Sequence, residues 1–147
     1  MTLYYEDLDV GDVIDYGEYT TDKAEMIEFA SRWDPRPFHV DEDFAADTLY
    51  GQLTASGVHT MAMHIRICNR ATADWRVRGA LGYEELRFPT AVLAGDVLHG
   101  KTTVIAKRLS KSRPEYGIVT THETMTNQRG ETVLDFKVSV LFERRDA

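Results

Sequence analysis

The feature that most constrains the fold is the alternation of apolar residues over positions 134–142. Successive side chains of a β-strand point to opposite faces, so every second residue faces the same side. The intervening positions are largely polar, which is typical of an antiparallel sheet covered on one face only. The apolar positions are Leu134, Phe136, Val138, Val140 and Phe142. The chain therefore needs a second layer that covers this face.

Three further extended segments and a turn precede this strand. The predicted strands cover 76–88, 97–109 and 116–126. Gly79 and Gly82 interrupt the first of them, at positions where a β-bulge is expected. Asn-Gln-Arg-Gly at 127–130 predicts a hairpin turn into the last strand.

The first half of the chain has helical patterns instead. One helix is predicted from Lys23 to Trp33, capped by Asp22, with Glu25 completing a capping box. The predicted inward residues of this helix are Ala24, Ile27, Ala30 and Trp33. A shorter helix is predicted after the N-cap Asp41, with its end at Gly51.

A longer helix is predicted from Ser56 to about Ala71 and is the natural cover for the sheet. Its predicted core positions are Val58, Met61, Ala62, Ile65 and Cys68. Helices followed by consecutive strands predict an α+β fold, with a curved antiparallel sheet around this helix. The 147 residues and the absence of linkers predict one domain over 1–147.

A carboxylate and an imidazole lie five residues apart in a segment that contains two prolines. Pro35 and Pro37 fix their own backbone angles and predict a stiff, non-helical loop that carries Asp34 and His39. Two such side chains can converge on one small molecule and move protons near neutral pH. This pair predicts an enzyme.

Composition excludes several other classes of protein. The net charge of −7 argues against general binding to nucleic acid or to an anionic membrane. No apolar run approaches the roughly 20 residues of a membrane helix, and the start lacks the pattern of a signal peptide. The single cysteine excludes an intrachain disulfide and predicts a cytoplasmic protein.

The proline segment and several later motifs together resemble a known family. Asp34-x-x-Pro37-x-His39-x-Asp41 and the later Ala55-Ser56-Gly57 are similar to the hydratase motif of MaoC-like dehydratases, the (R)-specific enoyl-CoA hydratases. Weaker matches to the same family are Leu86–Pro89, Gly95–Leu98, Ser110–Pro114 and Asn127–Glu131. The resemblance covers roughly residues 5–143 and implies a hot-dog fold, paired into a homodimer or a dimer of dimers.

The resemblance also implies a reaction and roles for individual residues. It implies a hydro-lyase for 2-enoyl or 3-hydroxyacyl thioesters of coenzyme A or an acyl carrier, in which Asp34 and His39 activate water and shuttle the proton. The enolate oxygen is expected at the backbone amides of Gly57 and Val58, because a helix start offers unpaired donors. Ser56 is expected either to cap that helix or to lie near the thioester.

Two departures from the family pattern leave the acyl group open. Arg36 stands where many members have asparagine, and Ser56 stands where many have histidine. A basic segment is a candidate site for the phosphates of the carrier, with a solvated hairpin loop as the alternative. Its cations are Lys107, Arg108, Lys111 and Arg113.

Other kinds of site are weighed against the hydratase. His39 and Asp41 match part of an iron site that would need His99 or His122, but a capping role explains Asp41 more simply. His64 and Cys68 share a helix face, where a buried cysteine is the simpler account than a nucleophile. No serine-nucleophile elbow and no phosphate-binding glycine loop occurs in the sequence. Together with the capping role of Asp41, this leads us to expect no metal and no cofactor.

Two further functions stay open beside the hydro-lyase. A hot-dog thioesterase would use a carboxylate to drive attack on the thioester carbonyl and would release a free thiol. A non-catalytic acyl-CoA-binding protein would keep its ligand affinity after substitution of Asp34 or His39. Fold by itself does not choose among the three.

Overall fold

The computed structural model describes residues 1–146 and contains five strands and four helices, besides a short 3-10 turn at Tyr5–Asp7. The strands are β1 Val13–Thr20, β2 Val77–Arg87, β3 Val97–Leu109, β4 Tyr116–Thr126 and β5 Thr132–Glu143. The helices are α1 Lys23–Trp33, α2 Pro37–Val40, α3 Glu42–Ala46 and α4 Gly57–Ala71. None of the helices in this described part is long and apolar enough to cross a membrane.

The strands form one antiparallel sheet in the order β1-β3-β4-β5-β2. The predicted strands, the hairpin turn and the bulges near Gly79 and Gly82 are confirmed. β1 was not predicted. Its apolar alternation is broken at Gly17, where φ is 80° and the register to β3 shifts, so the period of two is lost after Tyr16.

Helix α4 lies against the concave face of the sheet, as the hot-dog fold requires. Ile67 of α4 is fully buried, and a Cβ added at Gly100 of β3 would lie 2.6 Å from its Cδ1 atom. Phe136 of β5 packs edge-on against His64, with ring centroids 5.2 Å apart. The α+β class and the hot-dog arrangement are therefore confirmed.

The predicted core face of α4 is right only in part: Met61 and Cys68 pack against the core, but the most deeply buried residues lie nearly half a turn away. The residues that α4 buries are His59, Thr60, Met63, His64 and Ile67. Val58 is 59% exposed and Ile65 is 40% exposed, so this apolar stripe points away from the sheet. Periodicity shows that α4 has an apolar face, but it does not show which face of α4 packs on the sheet. Polar residues of α4 can face the sheet because they form hydrogen bonds there.

Two details of the first helices also differ from the prediction. Asp22 occupies the N-cap of α1, but its side chain makes no capping hydrogen bond, and Glu25 instead accepts one from the Tyr19 hydroxyl. Trp33 is exposed rather than inward. Asp41 does cap α3 as predicted, but that helix ends at Ala46, before Gly51.

Candidate functional site

Asp34 lies where α1 ends, and His39 lies on the short helix that follows. The backbone amide of Asp34 still donates to the Ala30 carbonyl, so α1 fixes its position. The non-helical loop predicted here is wrong for its second half, because Pro37 occupies the first turn of α2. Proline is tolerated there because that amide would have no helical partner. The short turn between the helices directs both side chains to one place.

The two side chains approach each other with a defined orientation of the imidazole. His39 Nε2 lies 3.5 Å from Asp34 Oδ2, an ion-pair distance that is long for a hydrogen bond. His39 Nδ1 lies 2.7 Å from the Thr54 carbonyl oxygen, which can only accept. Nδ1 therefore carries a proton, and in the neutral ring Nε2 presents its lone pair beside the carboxylate. This arrangement suits transfer of a proton at Nε2.

Ser56 connects the carboxylate to the start of α4. Its hydroxyl donates to Asp34 Oδ2 at 2.7 Å, and the residue is completely buried. Ser56 occupies the N-cap position of α4, but its side chain accepts no hydrogen bond from the first helical turn. The hydroxyl therefore orients Asp34 instead of capping the helix, and its expected place near the thioester stays a prediction. No sequence signal pointed to this contact across 22 residues.

Gly57 begins α4 and lines a cavity of about 270 Å³ together with His39. First-turn amides of a helix have no intrahelical partner and lie at the positive end of the helix dipole. A Cβ at Gly57 would lie 3.0 Å from the Phe88 ring, so glycine permits the close approach of this ring. Other lining residues are Phe38, Tyr50, Thr54, Thr60, Val92 and Val133. Val58 does not line this cavity, and its side chain points outward.

Arg36 is the cation nearest to the pair. Its Nε lies 3.8 Å from Asp34 Oδ1, and its side chain is 71% exposed. Water screens such an exposed pair strongly, so the contact adds little to the stability of the fold. Arg36 remains free to meet a negatively charged group at the opening of the site.

The predicted basic cluster lies at the other end of the sheet. Val133 of β5 lines the cavity, and the adjacent Leu134 pairs with Met125 at one end of β4. Leu109, next to the basic residues, pairs with Gly117 at the other end of β4. Eight residues of strand separate Gly117 from Met125, which corresponds to roughly 26 Å. Within one chain, the structure does not bring Lys107, Arg108, Lys111 or Arg113 to the Asp34–His39 pair. Lys107 also donates to the Leu8 carbonyl and covers the Tyr5 ring.

A second carboxylate–imidazole pair, missed by the sequence analysis, lies under α4. Glu123 Oε2 of β4 lies 3.1 Å from His64 Nε2, and both side chains are buried. Burial raises the pKa of Glu123 and lowers the pKa of His64 to about 4. One signal was present in the sequence. Glu123 occupies an inward position of β4, between the buried residues Thr121 and Met125.

A third imidazole contact lies on the other side of α4. His59 Nε2 lies 3.2 Å from Glu25 Oε1, and the His59 ring stacks on Phe29. Desolvation lowers the pKa of His59 against the opposing effect of Glu25. Among residues 1–146, no group of three or more histidine, cysteine, aspartate and glutamate side chains has the geometry to hold a metal ion.

Fold and geometry together define a hot-dog protein with an aspartate–histidine pair beside the start of its central helix. The model of the MaoC-like domain family matches residues 9–127, and the chain belongs to this family.

A relative and two solved structures are similar to this chain. The crystal structure of a MaoC-like dehydratase from Rhodospirillum rubrum is 39% identical, with a TM-score of 0.91 over 99% of each chain. A mesaconyl-CoA hydratase from Haloarcula marismortui is 36% identical over 67 residues, which are 45% of this chain and 19% of that protein. The R-hydratase PhaJ1 from Pseudomonas aeruginosa shares the fold at 24% identity, with a TM-score of 0.80 over 98% of this chain and 88% of that one.

Proposed function

We propose that the protein is a hydro-lyase that adds water to a 2-enoyl thioester of coenzyme A, or removes it from the 3-hydroxyacyl thioester. The observation that carries the proposal is that His39 and the Gly57 helix start line one cavity, with Asp34 Oδ2 3.5 Å from His39 Nε2. Family membership and the hydratases among the relatives support the same reaction class. The whole chain would act as one MaoC-like domain in the cytoplasm, without cofactor or metal.

The proposed chemistry divides among three groups. The Asp34–His39 pair takes a proton from water as the water oxygen bonds to C3, and it delivers a proton to C2. The amide at the start of α4 donates to the thioester oxygen, which gains negative charge as the enolate forms. Ser56 holds Asp34 Oδ2 in place through its 2.7 Å hydrogen bond. Loss of water follows the same steps in reverse.

The outward apolar face of α4 and the edge strand β2 support a homodimer, alone or as part of a dimer of dimers. β2 has a neighbour on one side only and carries exposed apolar side chains, and Val58 and Ile65 of α4 are exposed apolar residues as well. Those of β2 are Val77, Leu81, Tyr83 and Leu86. An unpaired apolar edge of this kind favours pairing with another chain. Light scattering at micromolar concentration should give a mass of at least twice 16.7 kDa, and a monomer would contradict the dimer.

The carrier-binding role of the basic cluster depends on that dimer. Within one chain the cluster lies at the end of β4 opposite to the end that adjoins the cavity, so a second copy must supply it if it binds the phosphates of coenzyme A. The cations are Lys107, Arg108, Lys111 and Arg113. We expect Lys111→Glu with Arg113→Glu to raise KM severalfold with little change in kcat. An unchanged KM would indicate a solvated loop.

A panel of 2-enoyl-CoA thioesters of different length, branching and terminal charge tests the reaction class. Loss of the conjugated enoyl absorbance should occur in the wild type and fall sharply in Asp34→Asn and His39→Ala. Asp43→Asn and His122→Ala are matched controls, because both side chains lie outside the cavity. Free thiol release without loss of the enoyl signal would indicate a thioesterase. Ligand binding without turnover in any variant would indicate a binding protein.

A further inference from the structure

The backbone of Arg36 is tied to both members of the Asp34–His39 pair. Its amide donates to the Asp34 carbonyl at 2.8 Å, and its carbonyl accepts from the His39 amide at 2.9 Å. Pro35 and Pro37 flank it, and each proline fixes its own φ and restricts the residue before it. The point from which the Arg36 side chain extends is therefore fixed relative to both members of the pair.

The guanidinium of Arg36 is only partly engaged by the protein. Its Nε lies 3.8 Å from Asp34 Oδ1, which is an ion-pair contact and too long for a hydrogen bond. The other oxygen, Asp34 Oδ2, is the one that accepts from Ser56 and faces His39 Nε2. The guanidinium makes no hydrogen bond within residues 1–146, and its side chain is 71% exposed. Its fork of N–H donors, which fits a carboxylate through two parallel hydrogen bonds, is therefore free for a ligand.

Permanent positive charge beside the pair comes from Arg36. Within the described part of the chain, no other lysine or arginine lies within 4 Å of the Asp34 carboxylate. The cavity that His39 and Gly57 line has no lysine, arginine, aspartate or glutamate among its described lining residues. The basic cluster lies at the opposite end of β4. An anionic group of a ligand that reaches His39 therefore meets Arg36 or water.

The position of Arg36 suits a charge on the acyl group better than the phosphates of coenzyme A. In the proposed reaction, C3 of the acyl group bonds to a water oxygen at the Asp34–His39 pair, so C3 lies close to Asp34 and hence to Arg36. The whole pantetheine arm separates the thioester from the phosphates. A carboxylate bonded to C3 is adjacent to the reacting carbon. Of the charged groups of such a substrate, this carboxylate is the one within reach of the guanidinium.

We propose that Arg36 selects 2-enoyl thioesters whose acyl group carries a second carboxylate on C3. This inference rests on the proposed hydration and names the substrate class of the same site. The guanidinium donates to both oxygens of that carboxylate, and the bound substrate displaces the water that otherwise screens the side chain. Hydration forms the C3–O bond, places a proton on C2 and leaves the second carboxylate unchanged. Arg36 therefore determines specificity and takes no part in proton transfer.

Fumaryl-CoA and its methyl ester are matched probes, because they share the double bond and differ in the charge of the group on C3. Crotonyl-CoA, with a methyl group on C3, is a second neutral probe. From the loss of enoyl absorbance, we expect a wild-type kcat/KM at least tenfold higher for fumaryl-CoA than for either neutral thioester, as for hydrogen bonds to a charged group. Equal or better turnover of the neutral thioesters would overturn the substrate class and leave the hydration itself intact. No hydration of any 2-enoyl thioester would overturn both proposals.

Variants of Arg36 separate binding of the substrate carboxylate from an effect on Asp34. Arg36→Gln should raise KM for fumaryl-CoA at least tenfold with little change in kcat, and should change both constants for the neutral thioesters by less than about twofold. Arg36→Lys keeps the charge without the planar fork and should recover part of the affinity. Arg32→Gln, at an exposed arginine of α1 outside this cavity, is the matched control and should behave like the wild type. A fall in kcat for charged and neutral thioesters alike would show that Arg36 acts through Asp34 and would overturn the proposal.

Discussion

Two of the carboxylate–imidazole pairs in the protein differ mainly in their surroundings. Asp34 Oδ2 and His39 Nε2 lie 3.5 Å apart, and the two side chains are 26% and 9% exposed. Asp34 follows α1, and His39 lies on α2. Glu123 and His64 lie 3.1 Å apart, 5% and 2% exposed, between the sheet and α4. The first carboxylate has one hydroxyl donor, and the second has three. The Asp34–His39 pair is thus accessible to a substrate, whereas the Glu123–His64 pair is buried and held by hydrogen bonds within the fold.

This contrast predicts opposite effects on activity and stability. Asp34→Asn should lower the rate of enoyl hydration by roughly 10²–10⁴ while changing the free energy of unfolding by less than about 1 kcal/mol. The partly exposed site tolerates the amide, but the amide cannot take up a proton. Steady-state kinetics and urea unfolding measure the two effects, with Asp43→Asn as the control. Comparable losses of stability and activity would remove the distinction between the pairs.

The buried pair should show the reverse. Glu123→Ala leaves His64 and three hydroxyls without their acceptor, and we expect a loss of about 3–5 kcal/mol in the free energy of unfolding. Urea unfolding measures the loss, and Glu115→Ala on the surface is the matched control. A loss below about 1 kcal/mol would show that the cluster rearranges or that water replaces the carboxylate.

Substitution of Ser56 tests how strongly the activity of the Asp34–His39 pair depends on the fixed position of Asp34. Ser56→Ala removes one hydrogen bond to Asp34 Oδ2, and we expect kcat to fall about tenfold with little change in KM. Ser56→Thr keeps a hydroxyl and should recover part of the rate. A change in KM alone would place the Ser56 hydroxyl on the substrate instead of on Asp34.

The pH dependence of stability sharpens the comparison further. Glu123 has a raised pKa in the folded protein and His64 a lowered one, so their contributions to the pH dependence of stability oppose each other. The contribution of Glu123 is fully present below its unfolded pKa and is lost as pH rises through its raised folded pKa. The contribution of His64 is fully present above its unfolded pKa and is lost as pH falls towards about 4.

Glu123→Gln should remove this balance. The folded variant then holds no proton at His64, whereas the unfolded variant still binds one below pH 6.5. Relative to the wild type, its stability should fall as the pH is lowered from 6.5 towards 4.5, by at most about 1.4 kcal/mol per pH unit, because the variant lacks the stabilising contribution of Glu123 at low pH. His59 contributes equally to both proteins and cancels in the difference. Parallel curves of unfolding free energy against pH would show that the pair does not share one proton.

Much of the fold followed from local patterns. The alternation in β5, the hairpin turn at 127–130, the cap of α3 and the start of α4 depend on neighbouring residues, and the structure has them where they were predicted. β1 was missed because its bulge at Gly17 interrupts the alternation. The predicted rotation of α4 about its axis was wrong, because the sequence of an amphipathic helix does not determine which of its faces packs on the sheet.

For the candidate site, the sequence by itself determined the Asp34–His39 spacing, the helix start at Gly57 and the resemblance to a family. Covalent restrictions of proline, capping preferences and side-chain periodicity act over a few residues, so a single chain reveals them. Only the tertiary structure decided that Ser56 donates to Asp34, that the basic cluster lies at the far end of the sheet, and that Glu123 meets His64. These contacts join distant segments, and sheet register and helix rotation determine them.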